Sequence, residues 1–321
     1  MPIYSASPPP AGGGNSTKTV GYLINRTFDL LLGAAREERN QLTGALDAVS
    51  TTFTVNYPLN SLKTGTYLCI DQELMYVWTS TPSSGASSTV TVSRGERGSV
   101  ATTHLAGAPI QVNPYFTRYA VAETLRDEIR SWAPQVFRVL TADIPLVNYQ
   151  RGYDMGSLGP WFNILKVTES PDILTAAGGD ALWRQISYTV SQSANTTSFP
   201  SGNCLNVNTP TAPFDSPRTL HIVYSAPINV DTTFGENDVL GTMGFDSSEV
   251  DIPPYGAAWR LAASREVRRM LTEAQGAVAD LTNFPPGYQL KAAEQFKQLR
   301  DSRLNDAIVR LRAQYPILRT A

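Results

Sequence analysis

The clearest pattern in this chain is an alternation of apolar and polar side chains, which opens at Phe53 and is strongest between Gly65 and Val112. A two-residue period is typical of strands, because successive side chains of a strand point to opposite faces of a sheet. The defining residues are Phe53, Val55 and Tyr57, then Tyr67, Cys69 and Asp71 against Leu68 and Ile70, then Leu74, Tyr76 and Trp78 against Met75 and Val77, then Val90 and Val92. The glycines of Arg94-Gly95-Glu96-Arg97-Gly98 mark a turn that requires positive φ.

Four other segments repeat their apolar residues every three or four positions, which is the period of an amphipathic helix. The first runs from Val20 to Leu46 with a break near Gly33, and the second runs from Phe116 to Trp132, where Pro134 should close or kink it. The third begins after Pro253-Pro254, and the last carries apolar residues from Leu290 to Tyr315. Because each helix has one apolar face to bury, we expect the four to gather.

A different pattern covers residues 146–250, where short β-rich runs are separated by glycine and proline. Trp161 to Val167, Leu182 to Val190 and Thr219 to Tyr224 have the composition and alternation of strands. Turn residues lie between these runs, so a small sandwich is the expected product.

Together these patterns predict an α+β fold: a helical bundle formed by dispersed helices, with a small β-barrel-like module and a β-sandwich as two inserted β-rich domains. Residues 1–17, rich in proline and glycine, predict a mobile arm. The predicted divisions after the arm are a bundle helix at 18–50, the β-module at 51–114, a bundle helix at 115–145, the sandwich at 146–250, a helical pair at 251–316 and a tail at 317–321.

The composition is that of a globular protein, because 42% of the 321 residues are hydrophobic and only 17% are charged. No apolar run approaches the roughly 20 residues that a membrane helix needs, and the first residues lack the pattern of a secretion signal. We therefore expect a soluble, unsecreted protein. Its two distant cysteines, Cys69 and Cys204, are expected to be buried thiols.

Charge is distributed unevenly, although the formal net charge is only -2. Residues 146–254 carry 4 basic and 11 acidic side chains, whereas residues 255–321 carry 11 basic and 6 acidic ones. An acidic middle and a basic end suggest head-to-tail or subunit-to-subunit electrostatic matching, although solvated surfaces are the commoner explanation of such charge runs.

No catalytic motif is recognisable in the sequence, which has no phosphate-binding loop, dinucleotide fingerprint, zinc-protease motif or Cys-x-x-Cys pair. Its two histidines, His104 and His221, lack a recognisable nucleophile partner and are expected to be structural. Asp71 and Glu73 remain open as a glycosidase pair, although polar residues at a strand end are usually turn residues. We expect no enzyme activity, no cofactor and no metal site.

Two groups of residues resemble structural proteins of tailed-bacteriophage virions. The first is the β-module, with Arg94-Gly95-Glu96-Arg97-Gly98 followed by His104-Leu-Ala-Gly-Ala-Pro-Ile-Gln-Val. The second, from Val250-Asp251-Ile252-Pro253-Pro254 through Ser302 to Pro316, is similar to the carboxy-terminal helical pair of head-to-tail adaptors, also called connectors or neck proteins. The resemblance covers roughly residues 18 to 316, and the two β-rich insertions depart from short, all-helical adaptors.

This resemblance implies a mechanical function in the virion, after assembly in the host cytoplasm. Copies of the chain would form a homo-oligomeric ring, a dodecamer, beneath the portal protein, extend the DNA channel and dock the next neck or tail-completion protein. Non-specific contact with packaged double-stranded DNA would follow. By carry-over, the portal-binding residues are Arg310, Arg312, Tyr315, Ile317, Leu318 and Arg319, and the DNA-channel residues are Lys291, Lys297, Arg300 and Arg303.

Two other functions remain open. One is a tail or baseplate protein whose β-modules bind host-surface glycans, and the other is a carbohydrate-active enzyme built on a β-sandwich. Glycan binding would support the first, and hydrolysis that is lost on changing Asp71 or Glu73 would support the second.

Overall fold

The computed structural model describes residues 4–5, 16–32, 38–57, 61–82, 87–169, 183–208, 218–231, 234–274 and 288–315. These residues form an α+β structure, as predicted. The helices are α1 (Val20–Leu32), α2 (Arg118–Arg130), α3 (Leu240–Met243), α4 (Ile252–Ala274) and α5 (Tyr288–Gln314). The strands are β1 (Tyr4–Ser5), β2 (Glu38–Gln41), β3 (Thr52–Val55), β4 (Tyr67–Ile70), β5 (Glu73–Pro82), β6 (Ser88–Ser93), β7 (Pro109–Val112), β8 (Arg138–Leu146), β9 (Gly152–Asp154), β10 (Asn163–Glu169), β11 (Trp183–Gln185), β12 (Tyr188–Ser191), β13 (Cys204–Val207) and β14 (Arg218–Ala226).

The chain divides into two compact units. The barrel unit comprises residues 20–128 and 251–301, and the sandwich unit comprises residues 1–19, 129–250 and 302–321. Each unit therefore combines segments that are far apart in the sequence.

The barrel unit contains a six-stranded antiparallel sheet in the order β2-β7-β4-β5-β6-β3. Its two edge strands also meet, because Leu42 and Val55 form a β-bridge. Beside this bridge the Thr43 amide donates to the Thr54 carbonyl at 3.0 Å. The sheet is therefore barrel-like, and this contact between its edges limits the backbone that is left unpaired.

The alternation in the sequence places one face of each strand inside the curled sheet. Val77, Val90 and Val92 are buried, whereas Thr89 and Thr91, which alternate with Val90 and Val92 along β6, are half-buried on the outer face. Burial of an aliphatic side chain contributes about 1.5–3 kcal/mol, so this core is a main source of stability. It consists of Leu42, Leu46, Phe53, Val55, Leu62, Leu68, Ile70, Met75, Val77, Val90, Val92, Ile110 and Val112.

The predicted first helix ends where its break near Gly33 was expected, but it was also expected to resume and continue to Leu46, and the structure corrects this second part. Helix α1 ends at Leu32, and residues 38–41 form β2, which pairs with β7. Leu42 and Leu46 fit a helical spacing, but both are buried in the barrel core. In a helix the backbone N–H and C=O groups of residues 38–41 would bond to each other's turns, whereas here they bond to β7. Tertiary contacts therefore override the local helical pattern.

The predicted division at 115–145 is also too long for one helix, although the expected end near Pro134 agrees with the structure. Helix α2 ends at Arg130, and residues 138–146 form β8. Pro134 has no amide hydrogen and does not continue a helix. Beyond it, β8 pairs with β14 over 9 consecutive residue pairs, so the sandwich begins before residue 146.

The sandwich unit contains two antiparallel sheets, in the orders β1-β11-β10-β14-β8 and β12-β13-β9. Both contribute to one apolar core, which includes Leu205 of the smaller sheet and Ile222 and Tyr224 of the larger one. The predicted strands at 161–167, 182–190 and 219–224 are confirmed with small shifts of their ends, and the second is divided into β11 and β12.

Part of the predicted mobile arm has defined partners. Tyr4–Ser5 adds strand β1 to the edge of β11, and the Ser16 carbonyl accepts a hydrogen bond from the Gly241 amide at 3.1 Å. Thr19 forms a bridge with Val239. These residues belong to the sandwich unit, and the rest of the arm lies outside the described residues.

Three helices of the barrel unit converge on the buried carboxylate of Glu128, near the end of α2. Arg260 of α4 places Nη2 2.8 Å from Glu128 Oε2, and Arg300 of α5 donates from Nε to Oε1 at 2.6 Å. Gly256 of α4 lies so close that a Cβ there would collide with the Glu128 side chain. Helix α1 also contacts α4. Among the helices in the described ranges, none combines the length and apolarity that crossing a membrane requires.

Candidate functional site

Four polar side chains converge at one end of the barrel-like sheet, and we call Asp71, Glu73, Arg94 and His104 the clasp. Asp71 lies in the tight turn between β4 and β5, where it has a left-handed φ of 51°. Glu73 begins β5, and Arg94 directly follows β6. His104 is held by two backbone hydrogen bonds with Leu46, of 2.8 and 2.9 Å. The clasp therefore draws its residues from four separate points of the module.

The Glu73 carboxylate is at the centre of the clasp and is 1% exposed. Its Oε1 accepts from Arg94 Nε at 2.5 Å and from the Gly95 amide at 3.3 Å. Its Oε2 accepts from Arg94 Nη2 at 2.7 Å, from the Thr102 amide at 3.0 Å and from His104 Nε2 at 2.9 Å. Five donors thus satisfy both oxygens of a carboxylate that burial has removed from water.

Arg94 uses its remaining hydrogens to hold the surrounding loops. Its Nη1 donates to the carbonyls of Asp47 and Ser50 at 2.9 and 2.8 Å, and its Nη2 donates to the Thr102 carbonyl at 2.7 Å. A planar guanidinium suits this arrangement because its donors point in fixed directions, which a lysine would not reproduce. The residue therefore ties the segment before β3 to the segment that carries His104.

His104 bridges the two acidic residues of the clasp and is 2% exposed. Its Nδ1 lies 2.7 Å from Asp71 Oδ2, and its Nε2 lies 2.9 Å from Glu73 Oε2. Two carboxylates on opposite sides of one imidazole favour the form that carries both ring protons. His104 is therefore the cation that joins Asp71 to Glu73.

The pKa values of the clasp follow from this geometry. Burial opposes the charged form of Glu73, but hydrogen bonds from Arg94, His104 and the Thr102 amide outweigh it and lower the pKa of the carboxyl from 4.5 to about 2. Burial likewise opposes the charged form of His104, but Asp71 and Glu73 outweigh it and raise the pKa of the imidazole from 6.5 to about 9. At neutral pH the clasp is therefore an array of paired charges.

The clasp explains why the Arg-Gly-Glu-Arg-Gly turn has glycines at positions 95 and 98. Gly95 and Gly98 have φ of 65° and 87°, in the left-handed region that the sequence pattern predicted. A Cβ at Gly95 would come within 3.1 Å of the Ser99 carbonyl oxygen. The turn returns the chain so that the Ser99 hydroxyl accepts from the Leu74 amide at 3.0 Å. The glycines therefore allow Arg94 and His104 to reach the same carboxylate.

An open groove of about 650 Å³ lies beside the clasp. It is lined by residues of the neighbouring segments Thr43 to Asp47 and Thr52 to Thr54. His104 and Leu105 also line it, so the groove combines threonine hydroxyls with an apolar surface.

The geometry of the clasp suits linking the strands and loops of the sheet rather than transferring a proton. Both ring nitrogens of His104 are occupied by carboxylates, so neither is open to a substrate proton. Glu73 is buried and saturated with donors, and its lowered pKa differs from the raised pKa of a glycosidase general acid. In the described ranges, no group of three or more His, Cys, Asp and Glu side chains has the arrangement of a metal site. Cys69 and Cys204 are buried thiols that form no disulfide, as predicted.

The residues predicted for DNA and portal contact lie on or after α5. Arg300 is engaged by Glu128 and Asp301, and Lys297 Nζ lies 5.8 Å from the centre of the Trp259 ring. Arg310 contacts Glu249, where burial raises the pKa of the Glu249 carboxyl. The exposed members are Lys291, Lys297, Arg303, Arg310 and Arg312; Tyr315 is half-buried, and Ile317, Leu318 and Arg319 lie outside the described residues.

Comparisons with known proteins add no name to these observations. No protein-family model matches the chain, and no curated protein matches it.

Stability of the module is expected to be highest between about pH 4.5 and 6.5. Because the pKa of Glu73 is lowered, its contribution is complete above 4.5 and is lost as pH falls toward 2. Because the pKa of His104 is raised, its contribution is complete below 6.5 and is lost as pH rises through 9. Urea unfolding midpoints measured at pH 5.5, 7.5 and 9.5 should decline in that order.

The matched variant for this experiment is His104→Gln. It removes the titrating group, so the decline from pH 5.5 to 9.5 should become much smaller while the stability at pH 5.5 falls. An equally steep alkaline decline in the variant would show that His104 is not its cause.

Proposed function

We propose that this chain is a structural virion protein of a tailed bacteriophage, a head-to-tail adaptor that forms a ring beneath the portal, extends the DNA channel and docks the tail. The clasp is the observation that carries the proposal. The phage-like pattern consists of residues that depend on one another, since Arg94, the turn glycines and His104 all serve one buried carboxylate. The resemblance to phage virion proteins is therefore more specific than one based on the positions of glycines alone, because its residues form one interacting set.

The helices give a second line of support. Helix α2 meets α4 and α5 at Glu128, although a long β-rich segment separates it from them in the sequence, and α1 contacts α4. We propose that these helices form one bundle from which the two β-rich parts extend as inserted domains. Such a scaffold suits a ring subunit, because rigid helices repeat around an axis while the β-rich parts remain accessible to other proteins.

The charges of α5 suggest how the channel and the portal would be contacted. Lys291, Lys297 and Arg303 are exposed and are proposed to face DNA, which cations attract without reading its sequence. Arg300 is proposed to act mainly through its ion pair with Glu128. The proposed portal contacts are Arg310, Arg312, Tyr315, Ile317, Leu318 and Arg319.

Ring formation with the portal protein of the same virion tests this function. Mass photometry of the mixed proteins should give one species whose added mass corresponds to a complete ring, and electron microscopy should place that ring on one end of the portal. A chain that remains monomeric and separate under all mixing ratios would contradict the proposal.

Deletion of residues 316–321 is expected to abolish portal attachment without unfolding the protein. These residues follow α5 and include three of the proposed portal contacts. Attachment should be measured by co-sedimentation with the portal, with circular dichroism of the truncated chain as the folding control. Unchanged co-assembly would show that the tail is not part of the portal interface. Ring formation itself is tested by the mass photometry experiment.

A further inference from the structure

Three aromatic side chains and an arginine lie side by side on the outer face of the barrel-like sheet. We call Tyr67, Tyr76, Trp78 and Arg97 the aromatic row. The rings of Tyr67 and Tyr76 pack edge to face with centroids 5.5 Å apart, and Tyr76 packs in the same way on Trp78 at 4.9 Å. The Arg97 guanidinium lies 4.4 Å from the Tyr67 centroid. Trp78 is 54% exposed, so the row ends in a large ring that is open to solvent.

Two irregularities of the backbone build this row. The pairing of β5 with β6 shifts register between Val77 and Thr79, which leaves Trp78 as the additional residue of a β-bulge. Arg97 has a left-handed φ of 52°, which is unusual for a residue with a side chain. Bulges redirect side chains, and unfavourable backbone conformations concentrate at binding sites. Both irregularities therefore set the position of a member of the row.

Hydroxyl groups border the row on the same outer face. Ser93 is the cross-strand partner of Tyr76, and Thr91 is the partner of Thr79. Thr52 of β3 extends this surface, since its hydroxyl lies 3.4 Å from that of Thr91. The face therefore combines aromatic rings with closely spaced hydroxyl groups, rather than being uniformly apolar.

We propose that this outer face binds an acidic polysaccharide. Aromatic ring faces are partially negative and attract the C–H groups that cover one side of a sugar ring. The bordering hydroxyls suit sugar hydroxyls, and the exposed Arg97 guanidinium suits the carboxylate of a uronic acid. The site is independent of the adaptor proposal, because it needs no ring and no portal.

The charge of the module favours a polysaccharide over a single-stranded nucleic acid. Residues 38–113 carry 4 basic and 5 acidic side chains, and one of the basic residues, Arg94, is committed to Glu73. A nucleic-acid site needs a cationic track along the phosphates in addition to stacking rings. Arg97 provides a single positive charge for one carboxylate, so the rings and hydroxyl groups, rather than charge, would supply most of the contact with a polysaccharide.

The experiment measures retention of the full-length protein on immobilised polygalacturonate, hyaluronate and alginate, each beside its carboxyl-reduced form. Wild-type protein should bind at least one acidic polymer and bind the reduced form about tenfold more weakly. Trp78→Ala should weaken binding about tenfold, whereas Arg97→Gln should remove the preference for the acidic form. Tyr57→Ala is the matched control, because Tyr57 is 53% exposed on the same module but outside the row.

Melting temperatures of all variants show whether each variant is folded. Either Trp78→Ala or Arg97→Gln is sufficient for the test if it melts like the wild type. Absence of retention on every polymer would overturn the proposal. Unchanged binding by a folded row variant, or equal binding to an oligo(dT) strand, would overturn it as well. None of these results bears on ring formation with the portal.

Discussion

Replacing Glu73 with glutamine is expected to destabilise the barrel-like module by about 3–5 kcal/mol, the usual effect of removing one partner from a buried ion pair. The change keeps the size of the side chain but leaves Arg94 and His104 as buried cations without their shared carboxylate. Urea unfolding followed by circular dichroism measures the loss. Amide hydrogen exchange should show that it is greatest in β4 and β5.

Asp71→Asn is the control for this prediction, because it alters the other carboxylate that contacts His104. The Asp71 side chain is 52% exposed, so water compensates for much of the lost interaction. The expected loss is about 1 kcal/mol or less. Equal losses from the two variants would show that burial of Glu73 is not what makes the clasp important.

Replacing Glu128 with glutamine is expected to separate the helices of the barrel unit, with a loss of about 3–5 kcal/mol. Its carboxylate receives Arg260 and Arg300 from two other helices, and its side chain is fully buried. The amide keeps the volume of the side chain but leaves two guanidinium groups without a counter-charge. Hydrogen exchange of α4 and α5 should increase more than that of β4 to β6.

Glu123→Gln, one turn earlier on the same helix, is the matched control. Glu123 pairs with Arg126 at the surface, and such pairs contribute about 0–1 kcal/mol. Gly256→Ala gives an independent test, because its methyl group would displace the Glu128 side chain without changing any charge. If Glu128→Gln were no more harmful than Glu123→Gln, the buried charge would not hold the helices together.

The local pattern predicted the central strands of both units correctly. Val77, Val90 and Val92 lie inside the barrel-like sheet, as their alternation indicated. The pattern failed at residues 38–46, where helical spacing and strand pairing are both compatible with the sequence. Strand pairing decided the conformation of residues 38–41, because β7 offers the backbone hydrogen bonds that stabilise β2.

The clasp could be predicted only in part. The turn glycines and the position of His104 were recognisable in the sequence, but the role of Glu73 was not. A signal was present, since Glu73 precedes the apolar start of a strand and Arg94 directly follows another. Linking them required the pairing of β5 with β6, which brings residues 21 positions apart into contact.

The sequence by itself determined the α+β class, most of the strands and the positive-φ turn, because side-chain periodicity and glycine requirements act over a few neighbouring residues. Only the tertiary structure decided which charges are buried together and which strands complete the sheets. Glu128 and Arg300 are 172 positions apart, and no local preference specifies such a pair. Their contact depends on the folded backbone, which brings distant segments close enough for opposite charges to compensate each other's loss of water.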